Sequence, residues 1–142
     1  MKLTPYLLLA LAMVGLGDTL YLSYFQYLNL IPGCAIDGCE IVLTSVYSKF
    51  LGVPLSYIGL VYYAYLFCLS ILMVIEPNSR AIALGALIYT AIGFILSLMF
   101  IFYIQLSLIG ALCFYCAISA VVATFAFAVS VWHWRTLRSV IA

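Results

Sequence analysis

The chain has 142 residues, of which 69% are hydrophobic and only 6% charged, with a formal net charge of +1 and a mean hydropathy of +1.32. A water-soluble domain keeps about 25% of its residues charged, so this composition excludes one and makes lipid the main solvent. The near-neutral charge argues against a nucleic-acid partner, and no Gly-rich phosphate loop of Walker or dinucleotide type occurs.

In chain order, Lys2 and the apolar stretch behind it look at first like a signal peptide. No small-residue cleavage site followed by a polar mature region appears, and apolar character resumes at Leu20. The stretch therefore reads as a first span over residues 5–30, long enough at about 1.5 Å per residue to cross a hydrocarbon core of about 30 Å. Pro32-Gly33 breaks it. Residues 31–55 hold Asp37, Glu40 and Lys49 and are too polar to span. Residues 56–75 are free of charge and form a second span. Glu76-Pro77-Asn78-Ser79-Arg80 is a turn, because Pro77 disfavours helix at Glu76 and Asn78 and Ser79 favour turns or caps. Residues 81–132 contain no charge, too long a run for one span and about right for two. Gln105, Ser107 and Gly110 interrupt the run, so the turn is expected there, with spans over residues 81–104 and 111–132. The predicted fold class is an all-α integral membrane bundle of four transmembrane helices in a single membrane domain.

Four spans place Lys2, Arg80, Arg135 and Arg138 on one side and only Lys49 on the other. The positive-inside rule then puts both termini in the cytoplasm and residues 31–55 outside. Trp132 and Trp134 suit an inner interfacial belt, and His133 reads as interfacial beside them.

This topology, obtained without the cysteines, puts four of the five outside: Cys34 and Cys39 in the loop, Cys113 and Cys116 in the first turns of the last span. Disulfides persist in oxidising compartments. Cys113-Phe114-Tyr115-Cys116 is a CxxC whose sulfurs share one helix face, near an N-terminus that favours a thiolate. Between Cys34 and Cys39, Asp37-Gly38 is a strong turn signal. A loop pair beside a membrane-embedded CxxC has the layout of a thiol relay; a four-cysteine zinc site and a scaffold with two inert disulfides are the alternatives. Cys68, mid-span, reads as a packing residue.

With the cysteines placed, the chain resembles the vitamin K epoxide reductase family, specifically its prokaryotic members, over nearly its whole length. The features that carry this are Cys34/Cys39, Ser45 in Cys39-Glu40-Ile41-Val42-Leu43-Thr44-Ser45, Gly52-Val53-Pro54, Cys113/Cys116, and Asp18 in Gly17-Asp18-Thr19-Leu20-Tyr21-Leu22. The resemblance implies a four-helix bundle around a quinone (ubiquinone, menaquinone or related), with Cys116 as the quinone-proximal thiol. It implies that Cys113 exchanges with Cys39, and that Cys34 faces a thioredoxin-like protein outside the cytoplasm, expected here as a separate chain. Ser45 would lie near the site, and the residues between Cys39 and Pro54 would form a short helix capping the pocket. The animal enzymes carry Thr-Tyr-Ala soon after the CxxC; here Ala117-Ile118-Ser119-Ala120 follows, which speaks against vitamin K epoxide itself as substrate. The function expected is a membrane thiol-disulfide oxidoreductase that supports disulfide-bond formation, with quinone-epoxide reduction as the alternative.

Other polar and aromatic residues have two readings each. Asp18 sits mid-span and must face the bundle interior, be protonated or be paired; it either delivers protons to reduced quinone or makes a packing hydrogen bond with Thr19 or Ser23. Ser45 is a site hydroxyl or a cap. Phe50, Tyr62, Tyr63, Phe114 and Tyr115 are candidates to wall the quinone pocket, or else packing and lipid-facing residues.

Overall fold

The computed structural model describes residues 2–30, 33, 41, 42 and 44–141. Four long helices make up nearly all of it: α1 (Leu3–Tyr27), α2 (Leu55–Ile75), α3 (Arg80–Leu98) and α4 (Phe114–Ile141). Each is apolar on nearly every side, the pattern of a helix that meets neighbours on one face and lipid on the rest. Four helical stretches are long and apolar enough to cross a membrane: Leu3–Tyr27, Leu55–Ile75, Arg80–Ile109 and Phe114–Val140. The fold is an all-α four-helix membrane bundle.

Helix α1 packs along α2 and α4, and α3 lies mainly against α4. The core is built from Leu8, Ala12, Tyr63, Leu66, Met73, Ala86, Val122 and Ala126. Small residues at such contacts let backbones approach closely, the usual source of helix association in lipid. One such case is Gly15, where a Cβ would collide with the buried ring of Tyr63. Hydroxyls within the helices bond back to their own turn: Thr19 donates to the carbonyl of Gly15 at 2.9 Å, Ser70 to Leu66 at 2.7 Å and Thr90 to Ala86 at 2.7 Å. No water is needed to satisfy them.

Three expectations change. The third helix does not end near Gln105. It widens into a π-helical segment, Met99–Ile109, and stops at Gly110, whose φ of 75° lies in the left-handed region that glycine adopts without penalty. The carbonyl of Gln105 accepts from Gly110 N–H at 2.7 Å and Ala111 N–H at 3.1 Å, which closes the end of the helix. His133 is not an interfacial residue. It is 1% exposed, its Nδ1 shares a 2.7 Å hydrogen bond with the Thr4 hydroxyl, and its Nε2 donates to the carbonyl of Pro77 at 3.1 Å. One imidazole thus ties the start of α1, the α2–α3 turn and α4 together at one end of the bundle. Cys68 is exposed on the outer surface of α2 instead of packed. Trp132, next to His133, is exposed.

Between α1 and α2, Val46–Ser48 form a 3-10 turn, and Lys49–Phe50 (β1) pair with Val53–Pro54 (β2) in a small antiparallel hairpin. Its two tip residues, Leu51 and Gly52, both have positive φ, as a two-residue primed turn requires. Ser79 caps α3, its hydroxyl accepting from Ile82 N–H at 3.5 Å.

Candidate functional site

Cys113 immediately precedes α4, and its carbonyl accepts the N–H of Ala117 at 3.0 Å, the first bond of that helix. Cys116 follows one turn in. Cys113 is fully buried under Val42 and against Phe100, Ile109, Ala111, Phe114 and Tyr115, with Cys116 beside it. The two thiols interact: the hydrogen bond from Cys116 is the strongest influence on Cys113 and pulls its pKa down to about 7, against burial, which pushes it up.

Cys34 and Cys39 lie outside the described residues. The described residues flanking them do reach the CxxC. The phenol of Tyr115 donates to the carbonyl of Gly33, the residue before Cys34, at 2.6 Å. Val42, three positions after Cys39, is 1% exposed and covers Cys113. Ser45 acts on Val42: its hydroxyl donates to the Val42 carbonyl at 2.7 Å and its N–H to the same oxygen at 3.3 Å. Ser45 thus steadies the residue that caps Cys113.

The candidate aromatics divide. Tyr115 belongs to a cluster with Tyr21, at 5.3 Å between ring centroids, and Tyr21 in turn meets Phe25 at 4.7 Å. Phe114 packs on Cys113. Tyr63 is buried one turn deeper; its hydroxyl donates to the Ser119 carbonyl at 2.8 Å and lies 3.0 Å from the Ser119 hydroxyl. Tyr62 instead turns toward α3, stacked on Tyr89 at 4.8 Å and seated over Gly93, with its hydroxyl unpartnered. Phe50 is 63% exposed on the hairpin.

Asp18 faces the bundle. It lies close enough to Tyr63, Tyr115 and both cysteines for its charge to bear on each. The packing hydrogen bond expected from Thr19 or Ser23 is not formed. Thr19 bonds to the backbone, and the Ser23 hydroxyl and Asp18 Oδ2 are both buried without partners.

Gln105, read from sequence as part of a turn, is a site residue. It is wholly buried; its Oε1 accepts the Cys113 N–H at 3.0 Å, and its amide lies beside the Cys116 sulfur. The available signal was a lone amide in a charge-free run of 52 residues, 81–132. A polar side chain that pays to enter lipid marks a function as readily as a break.

The surroundings of Cys116 fit an apolar acceptor with polar ends. Phe114, Tyr115 and Ile109 pack, with Cys116 itself, around Cys113 and Val42 as apolar walls, and Gln105 Nε2 and Asp18 Oδ2 are buried polar atoms without partners. A comparison with curated proteins returns no match. The profile described as "Vitamin K epoxide reductase family" matches residues 6–131, nearly the whole chain and all four helices. Members are membrane oxidoreductases linked to quinones in general. With a CxxC at the head of the last of four membrane helices and a family match across them, the chain belongs to the vitamin K epoxide reductase family.

Proposed function

We propose that the protein relays electrons from a thioredoxin-like partner through Cys34/Cys39 and then Cys113/Cys116 to a quinone, and so generates disulfides for export. The observation that carries this reading is the double tie between loop and CxxC: Tyr115 holds Gly33 and Val42 covers Cys113. Described residues on both sides of the loop pair are thereby held beside the CxxC.

In the relay, the partner's thiols reduce the Cys34–Cys39 disulfide. The Cys39 thiolate attacks Cys113, the Cys113–Cys116 bond breaks, and the electron pair leaves on Cys116. Cys34 then attacks Cys39, releasing Cys113 and restoring the loop disulfide. A bound quinone supplies the two-electron, two-proton acceptor. Gln105, Asp18, Phe114 and Tyr115 would hold it beside Cys116, with Tyr63 behind; Asp18, whose Oδ2 is buried without a partner, would carry protons within the bundle. Tyr62 and Phe50 contribute to packing and to the hairpin surface instead. The same thiols could in principle reduce a quinone epoxide, but the Ala117–Ala120 stretch lacks the Thr-Tyr-Ala of the animal enzymes.

Purified protein given a reduced thioredoxin-like protein should convert ubiquinone or menaquinone to quinol, seen as loss of quinone absorbance. No quinol with either quinone, at full partner concentration, would sink the relay. The orientation proposed has both termini in the cytoplasm and the cysteines outside. It rests on the excess of basic residues at the end where Thr4, Pro77 and His133 meet. An impermeant maleimide should label a cysteine placed at Asp37 in intact cells and spare one placed at Arg135; the reverse pattern would remove both the oxidising context and the external partner.

A further inference from the structure

Gln105 is the only buried residue of the π-helical segment, and it is polar. A buried amide costs free energy unless its donors and acceptor are all matched. Its oxygen is matched. Its nitrogen is not: Nε2 is buried and makes no hydrogen bond. The assignment of the two ends is forced, because the Cys113 N–H can only donate and so must face the oxygen. That turns the NH2 toward Cys116. The widened π turn carries this arrangement, and such segments recur at functional sites.

We propose that Gln105 is a positioning residue for the thiol pair, its Oε1 holding the Cys113 backbone and its Nε2 donating to the sulfur of Cys116 when that sulfur is a thiolate. This deepens the relay reading and takes its place in catalysis from it. When a thiolate attacks Cys113 in the Cys113–Cys116 disulfide, a new S–S bond forms to Cys113, the old bond breaks, and its electron pair stays on Cys116. No proton moves in that step. Negative charge therefore appears on a half-buried sulfur among apolar side chains, with the Asp18 carboxyl group nearby. A preset N–H at that spot stabilises the charge as it forms, and hydrogen bonds to an ionised acceptor are about twice as strong as neutral ones.

The test isolates Cys116. Cys113→Ser, with Cys34, Cys39 and Cys68 also changed to serine, leaves it as the sole thiol and leaves the backbone N–H at position 113 in place. Its alkylation by N-ethylmaleimide across pH reads its ionisation, with neither quinone nor protein partner present. The other titratable groups around it, Asp18 on α1, Tyr63 on α2 and Tyr115 on α4, are the same in every arm. Gln105→Leu should move the midpoint of that profile about one pH unit higher, a tenfold loss of ionisation constant, with the high-pH plateau unchanged. Gln105→Glu keeps an acceptor for the Cys113 amide but loses the N–H donor, and should shift the midpoint at least as far. Unmoved midpoints in both variants, or a shift with leucine alone, would overturn the proposal, the second leaving Gln105 only its tie to the Cys113 backbone. A lowered plateau at an unmoved midpoint reports access to the sulfur and overturns it equally. A relay that failed in the quinol assay would leave this profile standing, and the reverse also holds.

Discussion

Cys116→Ala and Cys113→Ala should each reduce quinol formation to background with either electron donor, whereas Cys34→Ala and Cys39→Ala should block only the protein donor. In the proposed relay each pair meets a different reactant. Cys34 and Cys39 stand beside Asp37 and Glu40 in sequence, in a stretch wet enough for a folded protein to approach. Cys116 is followed by Ala117, Ile118 and Ala120 and sits about 4.5 Å deeper along the helix axis than Cys113, at 1.5 Å per residue. Loss of a loop cysteine breaks the proposed intramolecular exchange with Cys113, which should slow partner-driven turnover by about two orders of magnitude or more. Dithiothreitol supplies its own second thiol, so quinol formation driven by it should survive the loop substitutions. Full dithiothreitol-driven activity in Cys116→Ala would show that the electrons leave from elsewhere. Partner oxidation at the normal rate in Cys34→Ala would remove the loop from the pathway.

Gly15→Ala should destabilise the bundle by about 2–3 kcal/mol, the scale of overpacking a filled core. The added methyl runs into the ring of Tyr63, which is 2% exposed and held at its far end by Ser119, so the ring has nowhere to turn. Gly17→Ala, half a turn along the same helix, is the control. A Cβ there meets nothing within 4 Å, and replacing a helical glycine should be neutral or stabilise by about 0.5–1 kcal/mol. Thermal unfolding in detergent should separate the two, with a fall of about 5–10 °C for the first. Equal Tm values would mean that α1 and α2 are not packed through that glycine. Because Tyr63 lies one turn below Cys116 and close to Asp18, the same substitution should also lower thiol-driven turnover.

The four helices were legible because lipid imposes a simple demand: long apolar runs nearly free of charge, separated by stretches that hold polar residues, proline or glycine. The CxxC was legible as a spacing. The turn between the last two helices was misplaced because π-helix and α-helix carry no different signature in a run that is apolar on all sides. There, Gln105 and Ser107 looked like interruptions when one of them was a buried partner of Cys113. His133 was misread for a related reason: tryptophans and arginines around it suggest an interface, while its two nitrogens are matched by groups 129 and 56 positions away. Asp18 faces the bundle, one of the readings open to it, but of its expected partners Thr19 bonds to the backbone and the Ser23 hydroxyl to nothing. Long-range pairing of single polar atoms leaves no local pattern to read.

The π-helical segment also bears on how this chain can vary in length. A π turn holds more residues than the α turn it replaces, so Met99–Ile109 behaves as a stored insertion. Removing a single residue from it would let the helix relax to the α form at no loss of hydrophobicity. It would also lose the π geometry that sets the Gln105 amide against the Cys113 backbone. Descendants of this gene that gain or lose codons should therefore do so in the exposed Lys49–Pro54 hairpin and keep the spacing from Gln105 to Cys113 fixed at eight.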